Sequence, residues 1–190
     1  MRLFVAVYPS PEALDDLEHT VGALQMARLE GVNPRLTARP LWHVTLAFLG
    51  EVPEPKVPEA ARALDRASES VPRPALRCAG GGRFGRGRFT LLWAGLAGDV
   101  EALTRVSRTV RRELRASRLR FDEKRFAPHL TIARPGDRVP VPMIAADLAT
   151  LAAYRGPLWS PTAIELVASH LGPQPRHEVI HAAEIGGPAE

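Results

Sequence analysis

The chain holds one cysteine, Cys78, in 190 residues. That excludes an internal disulfide and any thiolate metal cluster. Lysine is nearly missing as well: Lys56 and Lys124 stand alone, and every other cationic side chain is arginine. Aromatic residues make up only 6% of the chain, so each ring outside the core is a candidate contact. No apolar run approaches the roughly 18–20 residues of a membrane span. The opening MRLFVAVYPS is too short for a secretion signal core and runs straight into acidic helical sequence. A protein of the cytoplasm with no membrane association is therefore expected. There is no HExxH zinc motif and no GxSxG elbow to carry a serine nucleophile.

What is present is ordinary for a globular protein, with 45% hydrophobic and 24% charged residues. The length suits one compact domain over 1–190, or two half-size lobes sharing a core. A net charge of +4 and a pI near 10 favour an anionic partner. Arginine can grip phosphate through two parallel hydrogen bonds, although a GC-rich genome would give the same bias toward arginine.

Alternating or short apolar runs predict strands at 2–8, 42–49, 75–79, 88–95, 128–133, 163–170 and 177–184. Helices fit 11–29, 57–69, 98–118 and 143–154. The first has Ser10 as a cap and Pro11 in its first turn. The third spaces Val100, Leu103, Val106, Val110 and Leu114 along one face, with arginines on the others. A shift of 86 residues lays strand 2–8 on 88–94, strand 42–49 on 128–135 and helix 57–69 on 143–155. Two β-α-β-α-β copies, about 1–86 and 87–185, thus account for most of the chain. A two-copy repeat is too short for a solenoid, so a pseudo-symmetric pair of lobes is expected. The stretch GGGRFGRG (80–87) reads as the loop between the copies. It lacks the strand-before, helix-after setting of a nucleotide-binding loop.

The same shift superposes His43 on His129, Thr45 on Thr131, and Ala47 on Ala133. Chance would give about 0.3 His-x-Thr triplets in a chain of this composition. Two of them, in register with the repeat, point to a site. Residues two apart on a strand share a face. Alternation then assigns Val44, Leu46 and Phe48 to the core, and Ala47 and Ala133 to the groove. Two imidazoles and two hydroxyls suit phosphoryl chemistry. Histidine can accept or give a proton near neutral pH, and hydroxyls can hold non-bridging oxygens as charge develops. His177 and His181, four apart on a strand, are poorly placed to share a metal, so no metal or other cofactor is expected.

At these residues the sequence resembles the two-histidine phosphoesterase superfamily. It is most similar to the bacterial and archaeal RNA 2′,3′-cyclic phosphodiesterases, also called 2′-5′ RNA ligases. The resemblance runs through RLFVAVYPS, HVTLAFLGEV, GRFTLLWAGL and RFAPHLTIAR. It implies an α+β fold of two pseudo-symmetric lobes whose antiparallel sheets flank a central groove. The same resemblance implies metal-independent hydrolysis of RNA 2′,3′-cyclic phosphate ends to a 2′-phosphate, with His43 as proton donor and His129 as proton acceptor. It also implies Thr45 and Thr131 as phosphate ligands, with Arg134 as a third, although alternation puts Arg134 on the opposite face from His129. Expected partners are RNA ends, tRNA-like or oligonucleotide, or small cyclic phosphates, and a monomer is the expected state. The reverse 2′-5′ ligation and small cyclic-nucleotide hydrolysis stay open, as does a non-catalytic RNA-binding module. Phe48, Trp42 and Phe84 are candidates to stack a base, and the arginines of helix 101–118 are either an RNA-binding face or a solvated one. The sequence departs from its relatives at Arg176-His177-Glu178, where many carry tyrosine.

Overall fold

The structure, a computed structural model, describes residues 1–186; the last four residues of the expected 1–190 domain lie outside the described residues. The first half runs β1 (Arg2–Val7), α1 (Pro11–Gly22), β2 (Val44–Glu51), α2 (Val57–Ser68) and β3 (Leu76–Phe84). The second runs β4 (Leu91–Gly98), α3 (Val100–Ala116), β5 (Leu130–Ala133), α4 (Val141–Ala153), β6 (Arg155–Trp159), β7 (Ala163–His170) and β8 (Arg176–Glu184). These strands form two antiparallel four-stranded sheets, ordered β2-β1-β7-β8 and β5-β4-β3-β6. The α+β fold with two antiparallel sheets agrees with the sequence reading.

The third strand of each sequence copy crosses to the other sheet. β3, from the first copy, pairs with β4 of the second, and β7, from the second, pairs with β1 of the first. Each sheet is therefore built from both halves of the chain, and one continuous core runs beneath both. α3 supplies Leu103, Val106, Val110 and Leu114 to that core, all fully buried, as its apolar spacing requires. Each such leucine contributes about 2–3 kcal/mol of apolar burial.

Four segments differ from the sequence reading. The helix expected over 11–29 stops at Gly22 and continues as a 3₁₀ turn over Gln25–Arg28. The buried Asp147 carboxylate accepts from the amides of Gln25 (2.6 Å) and Met26 (3.0 Å) and so holds this turn against α4. The supposed linker 80–87 is half strand, since β3 runs on to Phe84. Its glycines serve packing: a Cβ on Gly81 would lie 2.6 Å from the Leu151 Cβ, and one on Gly82 would collide with the Trp93 ring. The strand expected from residue 88 begins at Leu91, after a 3₁₀ turn over Gly87–Phe89. β6 has no counterpart in the sequence reading, because Gly156-Pro157 looks like a break. It lies at the edge of its sheet, where proline costs no ladder bond.

Candidate active site

β2 and β5 carry the two motifs and sit at corresponding ends of their sheets. In each, the histidine stands just before the first strand residue and folds its ring back on the chain. His43 Nδ1 donates to the Leu41 carbonyl at 2.7 Å, and His129 Nδ1 donates to the Ala127 carbonyl at 2.7 Å. A carbonyl can only accept, so both Nδ1 atoms carry hydrogen and both Nε2 atoms are left for chemistry. His43 Nε2 meets the Thr45 hydroxyl at 3.1 Å.

The strands break their alternation directly after each threonine. Opposite β1, Val5 pairs with Ala47 but Ala6 pairs with Thr45, so Leu46 is an extra, bulged residue. Opposite β4, Leu92 pairs with Ala133 but Trp93 pairs with Thr131, so Ile132 is bulged in the same way. A bulge reverses the facing of every residue after it. Ala47 and Ala133 are accordingly fully buried in the core, not on the groove face that alternation assigned them. Phe48 turns out of the core and packs with Phe4, Ala6, Val167 and Tyr8 on the groove side. Arg134 occupies the position in β5's continuation that Phe48 occupies in β2. It follows buried Ala133 and is exposed; counted past the bulge, alternation assigns it to the face of Thr131.

Each bulge leaves a carbonyl without a ladder partner, and each is satisfied. The Leu46 carbonyl accepts from Ser107 Oγ at 2.9 Å and Arg111 Nε at 3.0 Å, both from α3. The Ile132 carbonyl accepts from the Thr37 amide at 2.8 Å. Arg111 also donates to the Lys124 carbonyl at 2.8 Å, tying β2 to the segment that leads into the second motif. It therefore belongs to neither an RNA-binding face nor a solvated one. Of the other arginines in this region, Arg112 and Arg66 pair with Glu113 and Arg115 with Glu123, whereas Arg105, Arg108, Arg118 and Arg120 make no ion pair among the described residues.

The surroundings of the two histidines differ. The His43 ring is hemmed in by Phe4 (centroids 4.6 Å apart), Tyr8 (5.9 Å) and a third histidine, His177, at 5.0 Å. This enclosure pushes His43 down from the ordinary histidine value to about 4. The Leu41 bond opposes that shift, while a charge on His177 or His129 adds to it. His129 lies against Phe84 at 5.0 Å and Trp93 at 6.3 Å, and Phe84 is 42% exposed. Of the three candidate stacking rings, Trp42 is buried in the core, whereas Phe48 and Phe84 line the groove side.

His177 is a site residue that the sequence reading misses. It pairs with Ser169 on β7, two strands from β2, and its proximity to His43 depends on a strand order that no local pattern shows. A bulge at Ile180 separates it from His181, which turns the other way to bond Asp65 on α2 at 2.6 Å. Glu165 is missed as well. It pairs with Ala6, and burial raises its carboxyl above the ordinary range. Among the described residues no three His, Cys, Asp or Glu side chains are grouped as a metal site. No helix among them is long and apolar enough to cross a membrane.

A family model described as the 2′-5′ RNA ligase superfamily matches residues 14–173. An RNA 2′,3′-cyclic phosphodiesterase of Thermotoga maritima is 30% identical over 135 residues, 70% of either chain. That of Archaeoglobus fulgidus is 36% identical over 137 residues, covering 70% of this chain and 72% of the relative. Among solved structures, TT0787 of Thermus thermophilus superposes with a TM-score of 0.75 at 24% identity, covering 98% of this chain and 99% of that one. E. coli LigT complexed with 3′-AMP gives 0.73 at 21% identity, covering 97% of each. At such identities the structural likeness speaks to the fold.

Proposed function

The chain belongs to the 2′-5′ RNA ligase superfamily, and from that premise we propose that it opens 2′,3′-cyclic phosphates at RNA ends to leave a 2′-phosphate. The observation that carries this reading is the paired geometry. Two imidazoles have Nδ1 fixed on a backbone carbonyl, which leaves Nε2 as the nitrogen for proton transfer, and each has a threonine two residues on, Thr45 being already bonded to His43 Nε2.

In the proposed reaction water attacks phosphorus in line with the 3′ oxygen. His129 Nε2 takes the water proton as the new P–O bond forms. His43 Nε2 gives its proton to O3′ as the P–O3′ bond breaks. Thr45 and Thr131 donate to the non-bridging oxygens, where charge develops. Arg134, on the Thr131 face, neutralises the same oxygens. Nothing in this sequence of steps calls for a metal ion.

The low value of His43 fits the donor role once substrate is counted. In the free protein the surroundings disfavour the imidazolium because they replace water without supplying a carboxylate. The phosphodiester brings the missing negative charge, so His43 takes up a proton as substrate binds. It then holds that proton in surroundings that favour its release. The Thr45 hydroxyl, bonded to His43 Nε2 in the free protein, turns to the phosphate.

The substrate class is an RNA 3′ end, tRNA-like or oligonucleotide, or a small cyclic phosphate, and a monomer suffices because both motifs lie on one chain. The reverse reaction, joining a 2′,3′-cyclic phosphate to a 5′-hydroxyl, would use the same groups. Incubation of the protein with a cyclic-phosphate oligonucleotide in EDTA tests the reading. The expected product carries a 2′-phosphate; a 3′-phosphate product, or turnover that requires added metal, would sink it.

A further inference from the structure

Around α3 four arginines are engaged, Arg112, Arg66 and Arg115 on carboxylates and Arg111 on two carbonyls, while Arg105 and Arg108 make no ion pair among the described residues. At the tip of the β3–β4 hairpin no arginine is so engaged, and exposed rings stand beside the arginines there. Residues 83–89 (RFGRGRF) are exposed throughout, and Arg83, Arg86 and Arg88 make no ion pair among the described residues. No acidic residue occurs between Ala79 and Ala97. Two large rings stand next to these arginines: Phe84 is 42% exposed and Phe89 70% exposed, with the Arg88 guanidinium 4.8 Å above the Phe89 ring.

Resting on the cyclic-phosphate reading, we propose that the tip of this hairpin is the docking surface for the single-stranded RNA leading into the reactive end. Its position fits that role, since Phe84 stands edge-on to His129 at 5.0 Å and the arm begins at the site itself. Its chemistry fits one occupant. Unpaired guanidinium groups match a phosphate backbone, and exposed rings beside them match unstacked bases, which is how sequence-tolerant single-strand binding works. A base-paired helix would offer the rings nothing to stack on. The arm is also positioned firmly at its base, where the Trp93 ring packs over Gly82 and the Gly81 backbone meets Leu151. RNA chains would therefore gain affinity from the arm, while a mononucleotide cyclic phosphate would not reach it.

The test compares wild type, the triple variant Arg83→Ala/Arg86→Ala/Arg88→Ala, and an α3 control, Arg105→Ala/Arg108→Ala. Binding of a short single-stranded oligoribonucleotide ending in a 2′-phosphate is followed by fluorescence anisotropy across a salt series. In parallel, turnover is measured on cytidine 2′,3′-cyclic phosphate and on a cyclic-phosphate oligonucleotide. For the hairpin variant the slope of log affinity against log salt should become shallower by about 2, as expected for three lost contacts to a single strand. KM for the oligonucleotide should rise about tenfold at low salt, with turnover of the mononucleotide unchanged. Unchanged mononucleotide turnover also shows that the variant is folded. A salt slope that stays put in the hairpin variant, or falls as far in the α3 control, would overturn the proposal. Should wild type turn over neither substrate, the cyclic-phosphate reading fails on its own, and the anisotropy series still decides whether the hairpin binds RNA.

Discussion

The two half-sites share a motif but not an environment. Both histidines pin Nδ1 to the carbonyl two residues back, and both strands bulge at the residue after the threonine. Around that common frame, His43 is walled by Phe4, Tyr8 and His177, whereas His129 opens toward exposed Phe84. The bulges are anchored differently too: side chains from α3 hold Leu46, and a backbone amide holds Ile132. The repeat supplies two equivalent groups, and it is their surroundings that distinguish them. Acid–base pairs elsewhere are assigned in the same way, by environments that push apart the pKa values of like residues.

The largest effects should come from the shared frame. His43→Ala or His129→Ala should each lower kcat by about 10²–10⁴-fold in a cyclic-phosphate turnover assay. Thr45→Val and Thr131→Val should each cost about 10²-fold, as for a lost oxyanion donor. A next tier addresses the difference in anchoring. Ser107→Ala/Arg111→Ala strips the Leu46 carbonyl of both donors, and denaturant unfolding should report a loss of about 2–4 kcal/mol. Turnover should fall about 10–100-fold through misplacement of His43 and Thr45, with less change in KM. Because a backbone amide holds Ile132, no side-chain deletion produces the same effect in the second half-site.

Smaller effects follow from protonation. Native His43 resists protonation until about pH 4, while in the unfolded chain it titrates near its ordinary 6.5. The unfolded state then binds more protons between those values, so the stability contribution is present above about pH 6.5 and is lost as pH falls toward 4. The loss should reach about 3 kcal/mol, measured by urea unfolding, and His43→Asn should flatten it. Smallest of all, His177→Ala removes a neighbouring charge and part of the enclosure. It should raise the His43 titration point by less than about one unit.

Much of the site was legible because it depends on identity and spacing. His-x-Thr twice, 86 residues apart, needs only a strand to place each pair on one face. What followed each threonine was not legible. Leu46-Ala47-Phe48 and Ile132-Ala133-Arg134 satisfy plain alternation, and a bulge is set by the partner strand, so alternation misplaces Phe48, Ala47 and Ala133. Gly81 and Gly82 read as a linker because the sequence does not reveal the Trp93 ring and the Leu151 Cβ that exclude a side chain there. His177 escaped because it meets His43 only through the order β2-β1-β7-β8, which depends on a strand exchanged between copies.

The most direct test of divided roles is an NMR titration of the imidazoles, with and without a bound 2′-nucleotide. His43 should titrate near pH 4 in the free protein and move up by about two units or more when the phosphate binds. A His43 that titrates near the ordinary histidine value in the free protein, or does not move on binding, would contradict the account.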